Sequence, residues 1–353
     1  MAYSATALRD LFDHDFDTVI DVRSPAEFEE DHVPGAISLP VLDNEERARV
    51  GTIYKQESPF LARKIGAALV FRNAASHIET SLALKEGGWR PLVYCWRGGQ
   101  RSGAFRWMLG EIGWRAESIE GGYRTYRRLV TEALYDTPLD LTLVQLGGYT
   151  GTAKTDLLHL LEARGVQVLD LEGLARHRGS LLGEMPGGQP SQKWFETALA
   201  QKLYHFDPAR PVLVEAESSK IGRLNLPPQL WDAMKRARWI EVSAPLEARA
   251  CYLAEAYADI LADPERLKAQ LTPLRRFRGH DTVDRWFDLI DQGEKCALCA
   301  ALAAEHYDPA YETSMRAVAP DVAARVEADA LDPKALDATA ARIEAALQSV
   351  TSI

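Results

Sequence analysis

The chain contains no apolar run approaching the ~18 residues of a membrane span. Met1 to Leu11 lacks the charged-then-apolar pattern of a secretory leader. The expected location is therefore the cytoplasm, with no membrane partner. Cysteine is scarce: Cys95, Cys251, Cys296 and Cys299 are the 4 among 353 residues. They are too few and too scattered for a disulfide framework, and reduced thiols suit that location. Excess positive charge is lacking too. Lys+Arg number 41 against 51 Asp+Glu, a net charge of −10, so the surface is not uniformly basic. A local basic groove is still open, because affinity for nucleic acid depends on the phosphates actually contacted. There is no internal repeat and no low-complexity tract. Cys296-Ala-Leu-Cys299 is a lone pair in an apolar helical stretch, with no second pair and no His at zinc-finger spacing. It reads as core packing, and no metal site is expected.

A length of 353 residues leaves room for two domains, each with its own core. Phe16 to Val22 reads as a strand. Ser24-Pro-Ala-Glu-Phe reads as a capped helix start, with Pro25 at the first helical position and Glu27 three residues after the cap. His32 to Pro40 is a turn into a short strand, Lys64 to Leu84 is mostly helical, and Pro91 to Cys95 and Ala116 to Glu120 are further strands. This alternation predicts a parallel sheet flanked by helices over residues 1–135. Near Tyr135-Asp-Thr-Pro138 the pattern restarts. Leu139 to Leu146, Val166 to Leu169, Pro211 to Val214 and Arg238 to Val242 read as strands of a second α/β domain over 136–316. Leu246 to Leu261 reads as one long helix. The Ala-, Glu- and Asp-rich tail, 317–353, reads as helical.

The densest chemistry lies at Cys95-Trp-Arg97-Gly98-Gly99-Gln-Arg101-Ser102. An apolar strand ends in a cysteine, seven residues from Cys95 to Arg101 form a Gly-containing loop, and Ser102 opens a helical segment. Strand, tight loop and helix start together aim successive backbone N–H groups at one point. A thiol there feels positive potential from those amides, Arg97 and Arg101. Such surroundings lower a thiol pKa from about 8.5 to between about 3.5 and 7.5. Cys95 therefore reads as a nucleophile that meets an anion, against the plainer role of a small buried residue at a strand end.

A second loop, Gly148-Tyr-Thr-Gly151-Thr152-Ala153-Lys154-Thr155, follows an apolar strand and precedes a helix. It has the spacing of a phosphate-binding P-loop except at Ala153, where that pattern has glycine. The glycines let backbone amides curl around phosphate oxygens, Lys154 adds a point charge, and Thr155 reaches toward a metal. The plainer role is a Gly-rich turn capping a helix. Pro211-Val-Leu-Val ends in Glu215-Ala-Glu217-Ser rather than in the aspartate usual for nucleotide hydrolysis. Those carboxylates are candidates for a base or metal ligand, or for a simple strand cap. Diphosphate binding is expected, whereas nucleotide hydrolysis is not.

Two basic clusters are candidates for RNA phosphates: Arg124, Arg127 and Arg128 beside Tyr123 and Tyr126, and Arg275, Arg276 and Arg278 beside Phe277. Solvated helix faces are the plainer role for both. Gln189 to Glu196 is a loop-to-helix entry expected to line the second site or to be an ordinary cap.

Asp21-Val-Arg23-Ser-Pro-Ala-Glu-Phe, then His32-Val-Pro-Gly-Ala-Ile-Ser-Leu-Pro, then Cys95 in its loop resemble a rhodanese domain. The Cys95 loop is one residue longer than the usual rhodanese loop and also fits the C-x5-R-[ST] pattern of cysteine phosphatases. A longer loop is expected to admit a larger tetrahedral anion. Further strings follow in order: Asn44 to Lys55, Tyr94 to Ser102, Gly148 to Thr155, His177-Arg-Gly-Ser180, Gln189 to Glu196, Glu215-Ala-Glu217-Ser and Leu274 to His280. Over nearly its whole length the chain resembles the bacterial tRNA 2-selenouridine synthase family. The departures are Ala153 and the acidic tail.

That resemblance implies a rhodanese-like parallel-sheet domain followed by a P-loop NTPase-like α/β domain with a helical tail. It implies a transferase that replaces the sulfur of wobble 2-thiouridine in tRNA with selenium from selenophosphate, by way of S-geranyl-2-thiouridine made from geranyl diphosphate. Cys95 would carry selenium or assist its delivery to C2 of the base. Arg97, Arg101 and the loop amides would hold the selenophosphate, with Arg23 facing the same pocket. Gly148, Gly151, Thr152, Lys154 and Thr155 would bind the diphosphate, with room for Mg2+ and no tightly bound cofactor. The partners implied are tRNA and a supply of selenophosphate. The alternatives are a rhodanese-type sulfurtransferase fused to a nucleotide-binding domain, a C-x5-R phosphatase, and a non-catalytic tRNA-binding module.

Overall fold

The computed structural model describes residues 1–351. The chain divides into two compact units, Met1–Pro138 with Pro190–His205, and Leu139–Gln189 with Phe206–Ile353.

The first unit holds strands β1 (Ala2–Tyr3), β2 (Thr18–Asp21), β3 (Ile37–Ser38), β4 (Pro91–Tyr94) and β5 (Glu117–Ile119). They form a parallel sheet of order β1-β5-β4-β2-β3. All four residues of β4 are buried, as a strand covered on both faces requires. Helix Pro25–Glu30 starts as its sequence predicts. Ser24 is the cap, Pro25 opens the helix, and Glu27 closes the capping box by accepting from the Ser24 N–H at 3.2 Å. The helix read as Lys64 to Leu84 runs instead over Pro59–Glu79, five residues earlier at each end, and packs on helix Asn44–Gln56.

The helix Gln192–Tyr204 belongs to this unit, although the sequence order places it in the second domain. Its Thr197 hydroxyl accepts from the Tyr126 hydroxyl at 3.0 Å, and Tyr135 donates to Glu196 at 2.6 Å. Ser191 caps it by accepting from the Trp194 N–H at 3.0 Å. Apolar residues on its inner face decide where it packs, and a sequence pattern does not name the partner sheet.

The second unit holds β6 (Leu143–Gly148), β7 (Gln167–Leu169), β8 (Val212–Glu215), a small hairpin of β9 (Lys220–Ile221) and β10 (Leu224–Asn225), β11 (Arg238–Ser243) and β12 (Val322–Glu327). The main sheet is parallel, in the order β12-β11-β6-β8-β7. The tail is therefore not wholly helical. Val322–Glu327 extends the sheet beside β11, between the end of helix Asp308–Val318 and helix Pro333–Thr351, which packs on helix Lys154–Ala163. Pairing with an exposed strand edge overrides the helical preference of an Ala- and Glu-rich segment. The helix read to Leu261 ends at Ala256.

Successive strands lie on opposite sides of β6: β8 flanks it on one side and β11 on the other. The end of β6 is thus a switch point, where open parallel sheets bind ligands beyond their carboxyl ends.

Candidate functional site

Cys95 follows β4 directly, and helix Gln100–Ile112 begins five residues later. The loop between them is fastened to the residues after β5. The Tyr123 N–H donates to the Cys95 carbonyl at 2.9 Å, and the Arg124 N–H to the Trp96 carbonyl at 3.2 Å. Gly98 has φ +63, and a Cβ there would stand 2.6 Å from the Ile119 carbonyl oxygen. Only glycine fits both the left-handed backbone and that approach. Gly99 faces open space, where an added Cβ would meet nothing within 4 Å.

The Cys95 thiol is 3% exposed, yet it lines a cavity of about 980 Å³ with Trp96, Arg97, Gly99 and Arg101. Burial pushes its pKa up. The Ser102 hydroxyl and N–H, the Arg101 charge and the Arg97 N–H outweigh burial and hold it below the ordinary thiol value. The Ser102 hydroxyl donates to Cys95 Sγ at 3.2 Å and is itself buried. The Cys95 thiol thus sits before a helix N-terminus, in surroundings that favour its charged form, beside space for a reagent. Arg97 is exposed. Arg101 Nη1 lies 3.0 Å from Glu27 Oε2, and Arg47 Nε lies 3.6 Å from the same oxygen. The carboxylate that caps helix Pro25–Glu30 therefore also positions the loop arginine.

Arg23 does not face this cavity. It is 1% exposed and bidentate to Asp21, at 2.9 Å from Nε and 2.7 Å from Nη2 to Oδ2 with a further 3.1 Å contact to Oδ1. Its guanidinium lies 3.9 Å from the Tyr123 ring centre. The Asp-x-Arg element is a buried structural pair.

In the second unit, Gly148 to Thr155 wraps from β6 into helix Lys154–Ala163. Gly148 has φ +151, and a Cβ there would collide with the Val242 carbonyl. Gly151 packs against Leu253 and Arg249. Thr152 is fully buried, its hydroxyl bonded to the Tyr149 carbonyl at 2.8 Å. Ala153 takes the left-handed conformation that glycine would take, φ +56 and ψ +33, and its methyl is buried in the core. The departure from glycine costs strain without opening the turn. Lys154 Nζ donates to the Gly148 carbonyl at 2.9 Å and to that of Tyr149 at 3.2 Å.

Carboxylates crowd this lysine. Thr155 Oγ1 donates to Glu172 Oε2 at 3.2 Å. Burial first, then the charge of Glu172 and a hydrogen bond to it, push Glu217 up to about 8. Glu172 is also raised by burial, against the pull of Lys154. Both carboxyls are thereby pushed toward their protonated forms. Glu215, fully buried, accepts the Leu171 N–H at 2.7 Å through Oε2. Burial, then Asp170, drive its pKa well up, and its Oε1 has no partner among the described residues. Glu172 was not singled out in the sequence. Its signal was a carboxylate just past the apolar run Val166 to Leu169.

Residues 4–129 match the rhodanese-like domain family, and residues 141–278 match the tRNA 2-selenouridine synthase AAA domain. Proteins named tRNA 2-selenouridine synthase are similar along the chain. That of Nitrosomonas europaea is 36% identical over 264 residues, covering 72% of this chain and 68% of its own. That of Hahella chejuensis is 39% identical over 245 residues, covering 65% and 61%. That of Ectopseudomonas mendocina is 33% identical over 341 residues, covering 88% and 90%.

The chain belongs to the tRNA 2-selenouridine synthase family.

Within this synthase-family chain the basic clusters divide. Arg124 and Arg128 are exposed on helix Tyr123–Thr131, Arg128 with its Nη1 3.2 Å from Glu132 Oε2, and Arg127 is paired with Glu196. With Trp96 and Lys193 they line an open cavity of about 550 Å³. Trp96 also lines the cavity of Cys95, so one indole borders both. In the other cluster Arg276 and Phe277 point outward, Phe277 being 70% exposed. Arg275 is committed to Asp284, and Arg278 Nη2 to the His306 carbonyl at 2.9 Å. Cys299 is buried and Cys296 exposed. Among the described residues no group of three His, Cys, Asp or Glu side chains is placed to hold a metal, and no helix is long and apolar enough to cross a membrane.

Proposed function

We propose that the chain replaces the sulfur of wobble 2-thiouridine in tRNA with selenium from selenophosphate, after the sulfur has been geranylated from geranyl diphosphate. What supports this reading is a thiol whose charged form is favoured by the Ser102 hydroxyl and loop N–H groups, in a chain that also holds a lysine-bearing loop with P-loop spacing. The names of the relatives supply the tRNA and the selenium.

The chemistry follows from the two loops. A thiocarbonyl sulfur leaves poorly, whereas an S-alkylated one leaves as a thiol. In the second unit the loop amides and Lys154 take the diphosphate of the donor, and Lys154 exchanges its own loop carbonyls for phosphate oxygens. Thr155 and Glu172 would hold a magnesium ion there, which would neutralise charge developing on the diphosphate. In the first unit the loop amides, Arg97 and Arg101 hold the tetrahedral selenophosphate. The Cys95 thiolate attacks phosphorus, the P–Se bond breaks, and hydrogen selenide is released beside the base. Water then hydrolyses the S–P bond and frees phosphate. Selenide adds at C2 of the S-geranylated base and geranylthiolate departs, so no redox partner is needed. Exposed Arg124, Arg128 and Arg276 contact tRNA phosphates, and Trp96 and Phe277 offer stacking faces.

The test uses the purified chain, an RNA bearing 2-thiouridine, geranyl diphosphate and selenophosphate, with the nucleosides read by mass spectrometry. Geranyl diphosphate alone is expected to give S-geranyl-2-thiouridine, and both donors 2-selenouridine. Thiocyanate release from thiosulfate and cyanide, with no change to the RNA, would instead identify a rhodanese-type sulfurtransferase.

A further inference from the structure

The cavity at Cys95 is larger and more apolar than selenophosphate requires. A tetrahedral anion is satisfied within the loop by amides and two arginines. The space nonetheless amounts to about 980 Å³, near the upper end for small-ligand sites. Beyond the loop its walls are mostly apolar, with Leu42, Val50, Ala62, Val70 and Ala104 among them. Small residues on the packed helices Asn44–Gln56 and Pro59–Glu79 keep it open. An added Cβ on Gly66 would stand 3.3 Å from Val50 Cγ1. At the rim, Tyr54 is 55% and Phe71 40% exposed. Large rings left in water around an open apolar cleft mark a place for an apolar ligand. Cationic Arg47, Lys55, Arg63, Arg97 and Arg101 also line the cavity, beside the sulfur nucleophile. A nucleobase set against the apolar part of the wall would leave its donors and acceptors unmatched there. A branched hydrocarbon chain brings none.

We propose that this cleft receives the geranyl chain of the S-geranylated wobble uridine while C2 of that base is presented to selenium at Cys95. The assignment rests on the function proposed above and adds where the alkyl group is read. In the step served by the cleft, the C2–Se bond forms and the C2–S bond breaks. The electron pair leaves on sulfur, and the geranylthiolate takes a proton from solvent. No atom changes partner through an oxidant. The cleft favours departure by holding the chain as a separate apolar product, and it distinguishes a long alkyl group from a short one.

Ala67 is the position for the test, since it lines the cleft but is exposed on its helix, so a larger side chain there fills the cleft without entering the core. RNAs carrying S-geranyl- or S-methyl-2-thiouridine are incubated with selenophosphate and each protein. In Ala67→Trp the ratio of kcat/KM for the geranyl over the methyl RNA is expected to fall at least tenfold, with Ala67→Leu intermediate. An unchanged ratio overturns the proposal. Calorimetry with the S-geranyl-2-thiouridine nucleoside reads the cleft without turnover. The parent protein is expected to bind it at least tenfold more tightly than Ala67→Trp, and no binding by the parent overturns the cleft. Binding that is intact while neither RNA is converted rejects the reaction and leaves the cleft standing.

Discussion

The Ser102 hydroxyl donates to the Cys95 sulfur at 3.2 Å, from the first turn of the helix that the anion loop opens. This bond favours the charged form of a thiol that burial alone would keep neutral. Ser102→Ala removes the donor and leaves the loop glycines untouched. The pH at which Cys95 becomes half-reactive toward iodoacetamide is expected to move up, and alkylation at neutral pH to slow several-fold. An unchanged pH profile would show that the hydroxyl does not act on the thiolate.

Arg23 and Asp21 form the buried pair beneath the same sheet end, with exposures of 1% and 0%. Breaking one partner leaves an uncompensated charge, which costs about 3–5 kcal/mol. Arg23→Met is expected to lower unfolding free energy in urea by that amount, far more than loss of an exposed arginine such as Arg97. A loss under about 1 kcal/mol would mean the pair is worth no more than a surface ion pair.

Glu217 makes stability depend on pH. Its carboxyl titrates near 4.5 when unconstrained and is pushed up to about 8 by burial and then by Glu172. The folded chain thus retains a proton that the unfolded chain releases. The contribution of this group is full below about pH 4.5 and is lost as pH rises toward about 8. Glu217→Gln keeps a neutral group in place. Relative to the parent, it is expected to gain nothing at pH 4.5 and on the order of a few kcal/mol above pH 8. A gain of equal size at both ends would contradict the raised Glu217 carboxyl.

Ala153 sets two effects against each other. The left-handed backbone costs about 1–2 kcal/mol, and the buried methyl returns about 0.8 kcal/mol. Ala153→Gly is expected to stay within about 1 kcal/mol of the parent in thermal unfolding. Ala153→Val puts a branched side chain into the same conformation and is expected to lose at least about 2 kcal/mol along with diphosphate affinity.

The features that the sequence makes legible are local. Ser24, Pro25 and Glu27 announce a helix start because capping is decided within four residues. Cys95 to Ser102 and Gly148 to Thr155 announce their loops for the same reason. What stays hidden is what the fold brings in from afar. Glu27 reaches Arg101 across 74 positions. Glu172 meets Thr155 only because β7 runs beside β8. Arg23 reads as a site residue because an arginine near a cysteine suits an anion, but the sheet turns it onto Asp21. Val322–Glu327 reads as helix because propensity cannot see the open edge of β11.

The most direct measurement of the central claim is the nucleoside yield from Cys95→Ser, with 2-thiouridine RNA, geranyl diphosphate and selenophosphate all present. S-geranyl-2-thiouridine is expected to accumulate with 2-selenouridine absent, while Lys154→Ala loses geranylation itself. Full 2-selenouridine yield from Cys95→Ser would remove the thiolate from the chemistry and contradict the account.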